Sequence, residues 1–98
     1  MANEQLVIGH DFNNGGGRYW IELDAGSAEL TYRNRGDGVI VIDHTFVPPE
    51  ARGGKIAQKL VERAAEDARK SGLKIVPQCP YVNLLFKRRA DLNELRAD

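Results

Sequence analysis

A mixed α/β sheet, antiparallel in its first strands and parallel in its last pair, with a crossover helix joining the parallel pair, is the fold class this sequence predicts. Three observations point to it. The first half alternates apolar and polar residues between glycine-rich turns. The stretch from Ala57 instead repeats apolar residues at helical spacing. An unbroken apolar segment, Val39 to Ile42, precedes that helix, and a second, "LKIV", follows it, as expected of strands covered on both faces. Strand, helix, strand is a crossover unit, and its right-handed closure makes the two apolar strands parallel neighbours.

The elements follow in order. "QLVIGHDF" is expected as an edge strand, and "NNGGG", Asn13 to Gly17, supplies a tight reversal. "RYWIEL" places Tyr19, Ile21 and Leu23 on one face and Trp20, Glu22 and Asp24 on the other; "AELTYR" repeats the pattern with Leu30 and Tyr32. "NRGDG", Asn34 to Gly38, reads as a hairpin turn rather than an adhesion tripeptide. In "VIVIDHTFV", strict alternation would set Asp43 and His44 on opposite faces. Ala57, Leu60, Val61, Ala64, Ala65 and Ala68 line one helical face, opposite Lys59, Glu62, Arg63, Glu66, Asp67 and Lys70. Ser71-Gly72 ends that helix, with Gly72 as a left-handed cap. "YVNLLFKRR" is a last helix started by Pro80. The final "ADLNELRAD" reads either as a frayed helical tail or as an interface.

The chain of 98 residues is expected to form one domain, 1–98, with its motif core at 39–89 and a C-terminal tail at 90–98. Lysine and arginine together number 14 and so do aspartate and glutamate, so the formal charge is zero and no nucleic-acid partner is expected. No apolar run approaches the roughly 20 residues that span a bilayer, which argues against a membrane partner. The start lacks the pattern of a secretory signal, and the single cysteine, Cys79, suits a reducing, cytoplasmic setting. Two histidines and one cysteine make no metal-site spacing, so no metal is expected.

"VPPEARGGKIAQKL" raises the functional question. It sets two prolines, then Arg52, Gly53, Gly54 and Lys55, directly before a helix. A helix N-terminus offers unpaired N–H groups and the positive end of a dipole, so glycines and cations there suit a phosphate. The plain alternative is a tight strand-to-helix turn. The segment lacks the Gly-x-x-x-x-Gly-Lys-Ser/Thr loop and the dinucleotide Gly-x-Gly-x-x-Gly pattern.

"EARGGKIAQKL" resembles the pyrophosphate loop of the GNAT acetyltransferase superfamily, Gln/Arg-x-x-Gly-x-Gly/Ala. Arg52 takes the first position and Ala57 the last, while Lys55 stands where the family has its middle glycine. "IDHTFVPPEARGGKIAQKL", followed past the helix by "LKIVPQCPYV", is similar to the small GNAT-like N-acetyltransferases, with their His-Thr near the end of the central strand and Pro-x-Cys-x-Tyr/Phe after the next. The resemblance spans Ile42 to Val82. It implies a minimal GNAT-like fold, acetyl-coenzyme A as cofactor, and transfer to an undefined amine, on a small molecule or a protein lysine or N-terminus.

On that resemblance, the parallel strands part at their carboxyl ends to admit the pantetheine arm. Pro48-Pro49, Pro77 and Pro80 fit strand ends where pairing has stopped. The expected cofactor residues are Phe46, Val47, Arg52, Gly53, Gly54, Lys55, Ile56, Ala57, Gln78, Cys79, Tyr81 and Asn83. Backbone groups around Phe46, Val47 and Gln78 would bond the pantetheine amides; Tyr81 and Phe86 would line the thioester pocket or, as aromatics on a short amphipathic helix are more often, belong to the core. Cys79 is a nucleophile that takes the acetyl group, an acid that protonates the departing thiolate, or a buried structural thiol. His44 is the candidate proton acceptor or a locally bonded histidine, since an imidazole ordinarily titrates near neutrality. Lys87-Arg88-Arg89 reads as a solvated helix end or a nucleotide-phosphate contact. The rival to an enzyme is a coenzyme A-binding module without turnover; a third reading is a structural domain without ligand.

Overall fold

The structure is a computed structural model that describes residues 6–97. Five strands form one sheet in the order β1 (Ile8–Asn13), β2 (Gly16–Leu23), β3 (Gly26–Gly36), β4 (Val39–Phe46), β5 (Lys74–Pro77). The first four are antiparallel neighbours, and β4 and β5 are parallel. Gln5, the first residue of the expected edge strand, lies outside the described residues. Between β4 and β5 run a short 3-10 turn (Pro49–Ala51) and helix α1 (Ile56–Lys70); α2 (Pro80–Arg88) and α3 (Ala90–Asn93) follow β5. Among the described residues no helix is long and apolar enough to cross a membrane.

Alternation decides which residues meet. Tyr19 and Ile21 of β2, Ala28 and Leu30 of β3, Ile40 and Ile42 of β4 and Ile75 of β5 are buried on one face, against Leu60, Val61, Ala64, Ala65 and Ala68 of α1. Val82 and Phe86 of α2 and Leu92 of α3 join the same cluster. Ion pairs tie the helices together: Arg89 reaches Glu62 and Arg69 reaches Glu94. Glu66 and Lys70, four residues apart on the exposed face of α1, pair at 3.4 Å, and Glu62 pairs with Arg89. Lys87 and Arg88 are exposed.

The hairpin at Asp37-Gly38 has positive φ at both residues, 53° and 78°, the conformation whose twist matches the flanking strands. Helix α1 ends as the sequence indicates. Leu73 N–H donates to the Ala68 carbonyl at 2.8 Å and Gly72 N–H to Arg69 at 3.3 Å, with Gly72 at φ 70°.

Asp98 lies outside the described residues; the described part of the tail is not frayed, and its leucines join the core. Leu92 and Leu95 are buried, and the chain then runs parallel to β5: Ile75 N–H donates to the Leu95 carbonyl and Ala97 N–H to the Ile75 carbonyl, both at 2.8 Å. The tail thus covers the outer edge of β5, satisfying backbone groups that an edge strand would leave unpaired.

Candidate functional site

The site grows from the unequal lengths of the parallel strands. β4 pairs with β5 only as far as Ile42 opposite Pro77, yet β4 continues to Phe46. Pro77 closes β5 because it lacks the N–H that a further ladder bond needs. Cys79 then sends its N–H back to the Ile42 carbonyl at 3.0 Å. Beyond that bond, β4 has no partner strand on this side among the described residues.

α1 begins beside this opening. Its cap residue, Lys55, makes no side-chain capping bond, and its first turn holds no acidic residue. The first N–H groups of α1 therefore have neither an intrahelical acceptor nor a capping side chain. Gly53 adopts φ 92°, a conformation that side chains resist. Arg52 donates from Nε to the Val47 carbonyl at 2.8 Å and lies 5.7 Å from the centre of the Phe46 ring, fastening the turn to the end of β4. A cleft of about 340 Å³ results, lined by Thr45, Phe46, Val47, Ala51, Arg52, Gly53, Gly54, Ile56, Ala57 and Tyr81.

Residues 18–95 match the family described as GCN5-related N-acetyl-transferase. The chain belongs to that family. It is also similar to the NMR solution structure of a GCN5-like candidate N-acetyltransferase from Staphylococcus aureus: TM-score 0.72, 28% identity, over 98% of this chain and 90% of that one. The mixed sheet with its crossover helix is thus the fold shared with a GCN5-like protein.

Within this family member, several expected residues lie elsewhere than the sequence suggested. Lys55 occupies the N-cap position of α1 without a capping bond, and it does not line the cleft. The Gln78 N–H, expected to be free, donates to the Val76 carbonyl at 3.0 Å, and its side chain accepts from Arg33 at 3.0 Å. Asn83 is half-buried rather than exposed; its side-chain oxygen accepts from Arg96 at 3.0 Å, which holds the tail. Phe86 is fully buried in the core and lines no part of the cleft, whereas Tyr81, one helical turn earlier, does line it. Burial, with Glu62 and Cys79 nearby, raises the Tyr81 phenol above its ordinary pKa, so its hydroxyl stays protonated.

The largest correction concerns β4. The register against β3 shifts: Thr31 faces His44 while Tyr32 faces Ile42, so Asp43 is an extra, bulged residue. Asp43 and His44 consequently share the outer face. Asp43 accepts from the Thr31 hydroxyl at 2.7 Å and pairs with Arg33, and His44 Nε2 lies 3.4 Å from Glu29. Glu29, Thr31 and Arg33 are alternate residues of β3, opposite in facing to buried Ala28 and Leu30. Thr45 is turned inward, and its hydroxyl lies 3.4 Å from Cys79 Sγ. Thr45, not His44, is therefore the β4 neighbour of the thiol. Sequence reasoning missed Thr45 and Ala51 as cleft residues; only the bulge assigns Thr45 its face.

Cys79, expected among the cofactor residues, is buried and does not line the cleft; its thiol lies behind Thr45, which does. His44, 52% exposed at its side chain, stands across β4 from it. A thiol on one face and an imidazole on the other thus flank the part of β4 that extends beyond β5.

Proposed function

We propose that the chain is an acetyl-coenzyme A-dependent N-acetyltransferase acting on a primary amine. One observation carries the reading: the start of α1 without a capping side chain, the glycine turn and the edge of β4 beyond its pairing with β5 open into one cleft. The donor set fits the cofactor. Backbone N–H groups at α1 and the Arg52 charge suit a pyrophosphate, and Gly53 and Gly54 carry no side chain to hold it off. Phe46 and Val47 offer strand backbone to pantetheine amides. Lys55 adds charge at the rim from its exposed position.

Acetyl-coenzyme A supplies an activated acetyl thioester, whose C–S bond breaks as the C–N bond to the amine forms. The residues of this chain manage the protons. His44, with Nε2 3.4 Å from Glu29, has Nδ1 left to accept the amine proton, while Glu29 is itself paired with Arg18 at 2.7 Å. Cys79 Sγ gives its proton to the departing sulfur from the inner face, with the Thr45 hydroxyl beside it. On the direct route Cys79 never carries the acetyl group; on an acetyl-cysteine route it would.

Intact-mass spectrometry after incubation with acetyl-coenzyme A alone, followed by steady-state assays on a panel of amines, tests this. Direct transfer predicts no acetyl adduct on Cys79, turnover with some amine, and a loss of about 100-fold in kcat/KM for His44→Gln. An adduct on Cys79 that an amine discharges would replace direct transfer by the covalent route. Saturable binding with no turnover on any amine would favour the binding module instead.

A further inference from the structure

A second cavity, of about 440 Å³, lies at the opposite end of α1 from the cleft. Ala57 lines the cleft and Ala68 the cavity; at about 1.5 Å of rise per residue the two are on the order of 16 Å apart. The transfer chemistry proposed above uses none of its residues.

Its wall is aromatic. The His10 ring stacks on Tyr19 with centroids 3.9 Å apart and planes 9° from parallel, and Phe12 lies 4.9 Å from His10. Tyr32 reaches across β2 to hydrogen-bond His10 Nε2 at 2.8 Å. That reach depends on Gly17, where a Cβ would sit 2.5 Å from the Tyr32 hydroxyl oxygen. Phe12 is 72% exposed, so a large apolar ring stands at the cavity mouth with one side in water.

The polar groups lining the cavity include one carboxylate, Asp67, and one ammonium, Lys70. Asp67 lines the cavity and accepts from the Tyr19 hydroxyl at 2.7 Å and Arg63 at 3.1 Å, both through Oδ2. Burial alone would raise the Asp67 carboxyl, but those two donors outweigh it and keep it ionised, with Oδ1 open. Burial, reinforced by Arg63 and opposed by Asp67, lowers the pKa of His10, which leaves that ring neutral. Ser71, at the carboxyl end of α1, also lines the cavity, where the helix dipole presents its negative end. Asn34 commits its amide nitrogen to the Asn14 carbonyl at 2.9 Å, which leaves its side-chain oxygen as an acceptor. Two cations are near, and each is engaged. Arg63 lies 5.6 Å from the Tyr19 ring centre, outside the cavity lining; Lys70 lines the cavity, and its ammonium lies 3.4 Å from Glu66 on the exposed surface of α1.

We infer that this cavity is a second ligand site, for an organic cation: an ammonium group on a short apolar or aromatic body. The ammonium meets Asp67 Oδ1, the carboxyl end of α1 and the faces of Tyr32 and Phe12, and the body fills the apolar wall formed by Ile40, Ala64 and Leu73. A carboxylate ligand would meet the Asp67 charge and the same negative helix end.

Benzylamine, benzyl alcohol and benzoate share a ring and differ in charge, so they serve as probes. Each is titrated into the 15N-labelled full chain without acetyl-coenzyme A, following the amides of Phe12, Asn34 and Ser71 beside those of Phe46 and Gly53. Benzylamine shifts the first group saturably, benzyl alcohol binds roughly tenfold more weakly, and benzoate does not bind. Asp67→Asn weakens benzylamine roughly tenfold. Phe12→Ala, an exposed position where folding is not at stake, weakens it roughly two- to fivefold. Benzoate or benzyl alcohol binding as tightly as benzylamine overturns the assignment, as do shifts confined to Phe46 and Gly53, an unchanged affinity in Phe12→Ala, or no shift at all. None of these outcomes depends on whether acetyl transfer occurs.

Discussion

Replacing Gly53 and Gly54 one at a time by alanine separates two demands on the turn before α1. At Gly53 a Cβ would meet nothing within 4 Å, so Gly53→Ala costs no space; it costs conformation, because φ is 92°. An L-residue held in the left-handed region is strained by about 1–2 kcal/mol. For a domain of this size each kcal/mol lowers Tm by about 4–8 °C, so the variant should melt about 4–16 °C lower. If the turn relaxes to escape the strain, the N–H array at the start of α1 moves with it. The same 1–2 kcal/mol then appears as roughly 5- to 30-fold weaker acetyl-coenzyme A binding. Gly54→Ala is the control. Its Cβ would sit 3.9 Å from the Ala51 carbonyl oxygen, an ordinary contact, and its φ is not positive. Its Tm should hold or rise by a few degrees, since alanine restricts the unfolded chain. Differential scanning calorimetry paired with isothermal titration reads both quantities. A Gly53→Ala variant that keeps both its Tm and its affinity would refute the reasoning.

Two further outcomes follow from packing and charge. Tyr19→Phe removes the hydroxyl bond to Asp67, a bond to an ionised group worth about 1.5 kcal/mol, discounted because Asp67 is 31% exposed. The Asp67 carboxyl is lowered in the folded state, so its contribution is present above its unfolded pKa and lost as pH falls through the folded one. Urea titrations across the acid range should therefore show a shallower acid loss in Tyr19→Phe than in wild type, and parallel curves would contradict it. Leu95→Ala, at a buried position whose carbonyl bonds β5, should cost about 2–5 kcal/mol of unfolding free energy; a change below about 0.5 kcal/mol would mean that the tail does not dock.

Most of the frame could be read from the chain because its signals are local. The apolar run Val39–Ile42, the helical spacing from Ala57 and the glycine cap at Gly72 each act within a few residues, and each element lies where those signals put it. The cleft was legible in its rim, from Phe46 and Val47 through Ala57, because prolines and glycines mark where pairing stops and a helix starts. The facing of Asp43, His44 and Thr45 was not. It depends on a bulge, and a bulge is a relation between β4 and β3 rather than a property of β4. The tail escaped for a related reason. Leu92 and Leu95 have a helical i, i+3 spacing, but two residues make no periodicity, and their burial depends on the exposed edge of β5. Asn83 and Gln78 were lost to partners distant in sequence, Arg96 and Arg33.

The most direct measurement of the central claim is isothermal titration of acetyl-coenzyme A into wild type and into an Arg52→Ala, Lys55→Ala double variant, each first shown to be folded by its melting curve. Two charges at a helix N-terminus contribute about 0.6–2 kcal/mol together, so wild type should bind and the variant should bind roughly 3- to 30-fold more weakly. Equal affinity in the two proteins, or no binding to wild type, would contradict the assignment of the cofactor to this cleft.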